Sequence, residues 1–528
     1  MDLPQLLTGL SDPLAYSPAV QNVELIQTHI SVVAMTDDLV YKIKKPVKFS
    51  FLDFSTLEQR RFYCEREVEL NRRLASDVYL GVVPIVLKGG RLQVDADGEP
   101  IEWAVKMRRL PAAATLDQRL ARNEVDSQLM QRLARRLADF YAAAPSSPHK
   151  LRYARFDAVS RNILDNLQVA HTVGQSTIDK AVLARLEQIT RQSLDRSREL
   201  IERRADQGVP RDVHGDLHLD HVYVFPDQPP PADFSIIDCI EFNDAFRFID
   251  PIADLAFLVM DLKFHDRRDL ARDLVEAYFQ AASDGEGRSL LPLYVSYRAT
   301  VRAKVETLEL AELEIPAVER SAAAVRACGH WLLALSELEE PGRRPCLLLV
   351  GGLPGTGKTT LAQQLAETAG FIVIRSDVVR KELAALAPTD SAADDYGSGL
   401  YTQEWTDRTY AECLHRAENL LQHGQRVVVD AKFSQEHRRR QFLDAARQLA
   451  LPGLYLVCQA SPDVVRERLR TRTGDASDAD WNIYLAAASD WEPASDQTAR
   501  VLTRIEAGQS VDVAQQQALQ SLRNAELL

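Results

Sequence analysis

The apolar run Cys346-Leu347-Leu348-Leu349-Val350 leads through one glycine into Gly352-Leu353-Pro354-Gly355-Thr356-Gly357-Lys358-Thr359. Thr360 and the helical pattern Leu361-Ala362-Gln363-Gln364-Leu365-Ala366 follow at once. A buried strand, a glycine turn and a helix N-terminus in that order make a cradle for phosphate. The glycines let backbone N–H groups converge on phosphate oxygens with no Cβ in the way. Lys358 is placed to reach the β- and γ-phosphates, and the Thr359 hydroxyl to bind Mg²⁺. The fold around such a loop is an α/β layer structure, and the expected ligand is a nucleoside triphosphate.

The rest of the chain is long for one domain. At 528 residues it should hold about three folding units by the usual length prior. Charged residues make up 26% and hydrophobic residues 46%, as in ordinary globular proteins. No apolar run approaches the roughly twenty residues that span a membrane. The start, Met1-Asp2-Leu3-Pro4-Gln5, has no basic segment followed by an apolar one, so no secretory signal is expected. Cys64, Cys239, Cys328, Cys346, Cys413 and Cys458 are scattered with no C-x-x-C pair, which points to free thiols in the cytoplasm. The net charge of -13 argues against general nucleic-acid binding. Oligomeric state is not legible.

The polar, proline-bearing stretch Glu337–Pro345 separates a helical region from the strand before the phosphate loop. Beyond it, strands are expected at Cys346–Val350, Phe371–Ile374, Arg426–Val429 and Leu454–Cys458, separated by helical patterns. That alternation predicts a mostly parallel sheet with helices on both faces. The chain's beginning is different. Strands are expected at Thr28–Met35, Leu39–Ile43, Val82–Leu87, Arg91–Val94 and Ile101–Met107, with one Arg- and Glu-rich helix from Leu57 to about Leu74. After Pro111 the chain turns mostly helical, with a strand–turn–strand insertion near residues 212–240.

That insertion carries a second constellation. Asp212-Val213-His214-Gly215-Asp216-Leu217-His218-Leu219-Asp220-His221 is followed by Ser235-Ile236-Ile237-Asp238-Cys239-Ile240-Glu241. Asp216 on a loop can orient and deprotonate a substrate hydroxyl. Asp238, at the end of an apolar strand, can hold Mg²⁺ on a triphosphate. His214-Gly215-Asp216-Leu217-His218 resembles the catalytic loop of the aminoglycoside phosphotransferase family, which has the protein-kinase-like fold. The Asp238 strand resembles that fold's metal-binding segment, and Asp250-Pro251-Ile252-Ala253-Asp254-Leu255-Ala256 resembles its D-P-x-x-D-L-A element, whose carboxylates brace the loop. Val40-Tyr41-Lys42-Ile43 looks like the strand of the ATP-binding lysine, which assigns Lys42 first and Lys44 second. Glu67 matches the helix glutamate that pairs with that lysine. Met107-Arg108-Arg109-Leu110 sits where the hinge would meet adenine. Two positions depart from the pattern. His221 stands where the family has an Asn metal ligand, and no strand pair carries a glycine-rich phosphate cover.

Behind the phosphate loop, Asp377 closes an expected strand and Arg380 follows three residues on. Asp377 can accept a hydroxyl proton, and Arg380 can hold a phosphate or carboxylate of the substrate. Asp430 ends another strand, suited to a Mg²⁺-bound water or to the substrate. Val464–Arg472 resembles the arginine-bearing lid of polynucleotide-kinase-like, gluconate-kinase-like and zeta-toxin-like enzymes, with Arg468 and Arg472 one helical turn apart. His437-Arg438-Arg439-Arg440 reads as a solvated helix face.

The whole chain resembles bacterial two-domain fusions of a phosphotransferase-like domain with an ATP-binding domain. The resemblance implies a multidomain chain: an α+β protein-kinase-like bilobal domain, with lobes at 1–110 and 111–340, then an α/β P-loop domain at 341–528. It also implies an ATP-dependent kinase with two nucleotide sites, Mg²⁺, and small hydroxyl-bearing acceptors. Two alternatives stand beside that reading. In one, His221 marks a pseudokinase that senses a ligand and regulates the P-loop domain. In the other, the C-terminal domain phosphorylates nucleic-acid ends.

Overall fold

The computed structural model describes residues 3–49, 52–172, 177–310, 316–387, 399–471 and 480–528. The chain divides into two compact units that do not follow chain order. The first gathers Met1–Arg161, Ser197–Leu262 and Arg267–Tyr294; the second gathers Asn162–Arg196, Lys263–Asp266 and Val295–Leu528. Much of the helical stretch before the phosphate loop thus groups with the P-loop domain by compactness.

The first unit opens with a six-stranded antiparallel sheet, in the order 24–27, 31–35, 39–44, 100–108, 79–88, 91–94. Alternate residues of the strands, Val32, Ala34, Tyr41, Ile43, Ile85, Leu92 and Ala104 among them, fill one core on its face. The helix Leu57–Asn71 starts at a capping box of Thr56 and Gln59 and ends three residues short of the expected Leu74. Its Cys64 and Val68 pack on Tyr79, Val105 and Met107. The strand Glu24–Gln27 is absent from the sequence reading because it is an edge strand with almost no burial and so no alternation to detect.

The helical part of this unit rests on Ser127–Ala143, whose buried Leu129, Met130, Leu133 and Leu137 form an apolar stripe, packed against Arg268–Ala282. The stretch Pro251–Leu262 is buried nearly throughout, which explains its lack of amphipathic pattern. The expected insertion is a short hairpin, Val222–Val224 paired with Phe234–Ile236.

The second unit contains a five-stranded, wholly parallel sheet ordered 372–375, 426–430, 346–352, 453–459, 502–506. All four expected strands are present. The fifth, Leu502–Glu506, is an edge strand with a single fully buried residue, Ile505, and carries no readable signal. The central strand Cys346–Gly352 is buried along its whole length. That is the pattern of a parallel strand covered on both faces. Helices Lys358–Ala369 and Val511–Asn524 cover one face through Leu361, Leu365, Ala514, Ala518 and Leu522. The strands' carboxyl ends therefore face one edge, where open α/β sheets take their ligands. Among the described residues, no helix is long and apolar enough to cross a membrane.

Candidate active sites

In the P-loop the chain makes its turn with glycines that nothing else can replace. Gly352, Gly355 and Gly357 have φ of 141°, 75° and 95°. A Cβ at Gly352 would lie 2.6 Å from the Cys458 carbonyl oxygen and 2.8 Å from Thr356 Oγ1. The helix Lys358–Ala369 starts directly behind, so its unpaired N–H groups point into the turn. Lys358 Nζ donates to the Leu353 carbonyl at 2.9 Å, which lays its ammonium over the loop. Thr359 Oγ1 donates to Asp430 Oδ2 at 2.6 Å, and Arg375 Nε lies 3.7 Å from the same oxygen. Burial raises the Asp430 carboxyl above its usual range, against the pull of Lys358. Asp430, read from sequence as serving either metal or substrate, thus stands beside the phosphate-loop threonine.

These groups line a cleft of about 770 Å³, with Asp377, Arg380, Lys432, Arg438 and Asp490 on its walls. Asp377 sits in the first turn of the helix Ser376–Leu383. Arg380 is buried and donates to the Leu400 carbonyl at 2.7 Å and to Thr406 Oγ1 at 3.3 Å. The helix Pro462–Thr471 lies on the phosphate loop: Val465 and Leu469 come within 3.0–3.2 Å of a Cβ built at Gly355. Arg468 Nη1 is 3.6 Å from one built at Gly357, and its Nη2 donates to the Ala507 carbonyl at 2.8 Å. Arg472 lies outside the described residues.

One expectation about this region holds only in part. His437 and Arg440 are exposed, but Arg438 and Arg439 are buried. Arg439 donates to the carbonyls of Phe433, Ser434 and Glu492, tying three segments together, while Arg438 pairs with Asp407 at 2.9 Å and faces the cleft. Lys432 was also missed. Its position two residues past the Asp430 strand end was the available signal, and burial lowers its pKa from the usual lysine range.

In the first unit, strand Leu39–Lys44 and helix Leu57–Asn71 bring Lys42 and Lys44 to one carboxylate. Lys42 Nζ is 3.0 Å from Glu67 Oε1 and Lys44 Nζ 2.8 Å from Oε2, with Glu67 completely buried. The two lysines differ in their other partner. Lys42 reaches Asp238, whereas Lys44 is sealed inside against Glu241. Burial alone would lower the Lys42 pKa, but Asp238 and Glu67 outweigh it and hold the ammonium charged. Asp238 sits at φ 65°, and its N–H donates to Tyr79 Oη at 3.0 Å.

The Asp216 loop is held by one carboxylate. Asp254, fully buried, accepts from His214 N at 3.0 Å, Gly215 N at 2.8 Å and Tyr141 Oη at 3.0 Å. Gly215 has φ 90°, and a Cβ there would meet the Phe246 carbonyl at 2.9 Å. His214 donates from Nε2 to the Ile237 carbonyl at 2.8 Å and accepts the Asp216 N–H at Nδ1. Both ring nitrogens are thereby committed in the neutral form, and burial, then His221, pushes its pKa down to about 3. Asp216 lies 3.6 Å from His218 Nε2. Burial would raise its pKa, but the neighbouring His218 and His221 more than offset that and keep the carboxylate ionised. Asp250, the other carboxylate of the D-P-x-x-D-L-A element, pairs with the buried Arg204 at 2.6 Å.

A family model described as an AAA domain matches residues 347–489. Solved structures similar to parts of the chain include a gluconokinase from Sinorhizobium meliloti, 19% identical, covering 35% of this chain and 95% of that one with a TM-score of 0.26. An amicoumacin kinase in complex with AMP-PNP, Ca²⁺ and Ami is 14% identical and covers 63% of this chain and 93% of that one, with a TM-score of 0.38. The uncharacterized protein Rv2004c of Mycobacterium tuberculosis is 32% identical over 477 residues, 89% of this chain and 91% of its own length. The chain belongs to the family of that mycobacterial protein.

Proposed function

We propose that the protein is an ATP-dependent phosphotransferase with two nucleotide sites, each moving a γ-phosphoryl group to the hydroxyl of a small molecule. The observation that carries this reading is the P-loop cleft. Lys358, Thr359 and Asp430 stand at its phosphate end, and Asp377 opens into the same space. In the transfer, the acceptor hydroxyl oxygen bonds to the γ-phosphorus as the bond to the β–γ bridging oxygen breaks. Asp377 takes the hydroxyl proton and ADP leaves. Lys358 and Arg468 supply positive charge where negative charge develops on the transferring group and the departing ADP oxygen. Arg380, at the cleft wall beside Asp377, supports an acceptor that carries an anionic group.

Mg²⁺ fits this cleft, because the Thr359 hydroxyl and the Asp430 carboxylate are hard oxygen donors. When bound with the triphosphate it would neutralise phosphate charge. In the first unit, Lys42 and Glu67 support nucleotide binding and Asp216 the deprotonation of an acceptor. Mg²⁺ fits poorly there: one of the two expected ligands is the His221 imidazole, and the other, Asp238, is engaged by Lys42. The His221 substitution also favours the pseudokinase reading, in which this unit binds nucleotide without transfer.

The test is incubation of the full-length protein with γ-labelled ATP and a bacterial small-molecule extract. Labelled acceptors are expected, and Lys358→Ala should remove at least one of them. Label found only as inorganic phosphate would overturn the reading. Transfer to 5′-hydroxyl oligonucleotides would instead select the nucleic-acid-end reading.

A further inference from the structure

We propose that the loop expected to catalyse transfer in the first unit is a binding site for a borderline divalent transition cation of the Zn²⁺ class. Its ligands are Asp216, His218 and His221, with Asp238 as the fourth.

One donor atom each from Asp216, His218 and His221 lies within 4.8 Å of the others. His218 Nε2 is 3.6 Å from Asp216 Oδ2, and His221 Nε2 is 3.7 Å from Asp238 Oδ2. In a tetrahedral site with bonds of about 2.0–2.1 Å, neighbouring donors stand about 3.4 Å apart. Each of these two pairs therefore needs only a small side-chain movement to reach the spacing of donors on a shared ion.

The orientation of His221 is the second observation. Its Nδ1 lies 2.8 Å from the Asp216 carbonyl oxygen, which can only accept, so Nδ1 carries the proton. That leaves Nε2, 3.7 Å from Asp238 Oδ2, as the ring's remaining donor atom. An imidazole N–H anchored on a backbone carbonyl is how proteins fix the tautomer and ring plane of a metal-binding histidine. Asp238 is compatible with the same role, since Lys42 engages Oδ1 and leaves Oδ2 toward His221. Two nitrogen donors beside two carboxylates suit Zn²⁺ or Co²⁺ better than Mg²⁺, which wants an octahedron of oxygens.

The site does not depend on transfer in this unit. It does bear on it, because an ion held at Asp216 Oδ2 takes the oxygen that an acceptor proton would need.

The experiment titrates the nucleotide-free, full-length protein with Co²⁺, followed by its visible absorption, and with Zn²⁺ by calorimetry. The wild type should take up one equivalent of Co²⁺ with the intense bands of a four-coordinate site, and a large excess of Mg²⁺ should not displace it. His221→Asn and His218→Ala should each weaken binding more than about 10-fold. Asp220→Ala, outside the ligand set although 3.7 Å from His218 Nδ1, should leave it within about twofold. His221→Asn is the variant best able to keep its fold, and a wild-type thermal melt for the apo form establishes that. No uptake by the wild type, equal uptake by both histidine variants, or displacement by equimolar Mg²⁺ would each overturn the proposal.

Discussion

Replacing Asp254 by Asn tests how the Asp216 loop is held. The two carboxylate oxygens face different donors: Oδ1 accepts from Gly215 N, and Oδ2 from His214 N and Tyr141 Oη. An amide has one acceptor oxygen. Whichever way it turns, its NH₂ meets at least one N–H donor in a site closed to bulk solvent, because Asp254 is completely buried. A hydrogen bond to a buried charge contributes about 1.5–3 kcal/mol, and an unsatisfied buried donor costs about 1–3 kcal/mol. The loop should therefore lose about 3 kcal/mol against local opening, which is about 150-fold faster amide exchange. Hydrogen exchange read by mass spectrometry on peptides covering 213–222 measures this directly. Tyr141→Phe, which removes one donor and leaves both N–H bonds, should cost about 1.5 kcal/mol, the low end of that range. If Asp254→Asn exchanges within about threefold of wild type, the carboxylate does not hold the loop and the argument fails.

Other outcomes follow from the same geometry. Gly352→Ala places a methyl 2.6 Å from the Cys458 carbonyl at a φ of 141°, so it should abolish nucleotide-dependent thermal stabilisation of the P-loop unit even at saturating ATP. Glu67→Gln leaves the buried Lys42 and Lys44 short of one negative charge and should lower stability by about 3 kcal/mol in urea unfolding of the first unit, whereas Glu65→Gln, on the exposed side of the same helix, should be neutral. Burial pushes the thiols of Cys64, Cys239, Cys346, Cys413 and Cys458 up to about 12 and that of Cys328 to about 11. Unfolded thiols ionise near about 8.5, so the stability these groups contribute is complete below that pH and is lost as pH rises toward 11–12. At pH 8 a thiol reagent should reach Cys328 first and the other five only on denaturation.

The phosphate loop and its sheet were legible because both signals are local. The glycines, Lys358 and Thr359 are consecutive, and a buried parallel strand is an unbroken apolar run. Asp216 and Asp238 stood out from their loop and strand-end settings, whereas Lys42 and Glu67 were placed only through resemblance, since residues nearly two hundred positions apart meet only through the fold. Lys42 was ranked before Lys44 by resemblance alone, with no physical reason in the sequence to separate them. Both point to the same face of one strand, and only the packing decides that Lys42 reaches Asp238 while Lys44 is sealed against Glu241. The edge strands Glu24–Gln27 and Leu502–Glu506 lack the burial that creates a pattern. Arg438 and Arg439 misled for the opposite reason. A charge run is normally solvated, but here the guanidiniums are consumed by backbone carbonyls and Asp407. The metal-like grouping of His218 and His221 was not legible in the sequence, where His221 stood only in place of an Asn metal ligand, because spacing alone does not show which ring nitrogen is committed.

The claim of two independent transfer sites is tested most directly by comparing labelled products from γ-labelled ATP for wild type, Lys358→Ala, Asp216→Ala and the double variant. The account predicts that each single substitution removes a different subset of products and that the double variant makes none. Products unchanged by Asp216→Ala, or all products lost in either single variant, would contradict it.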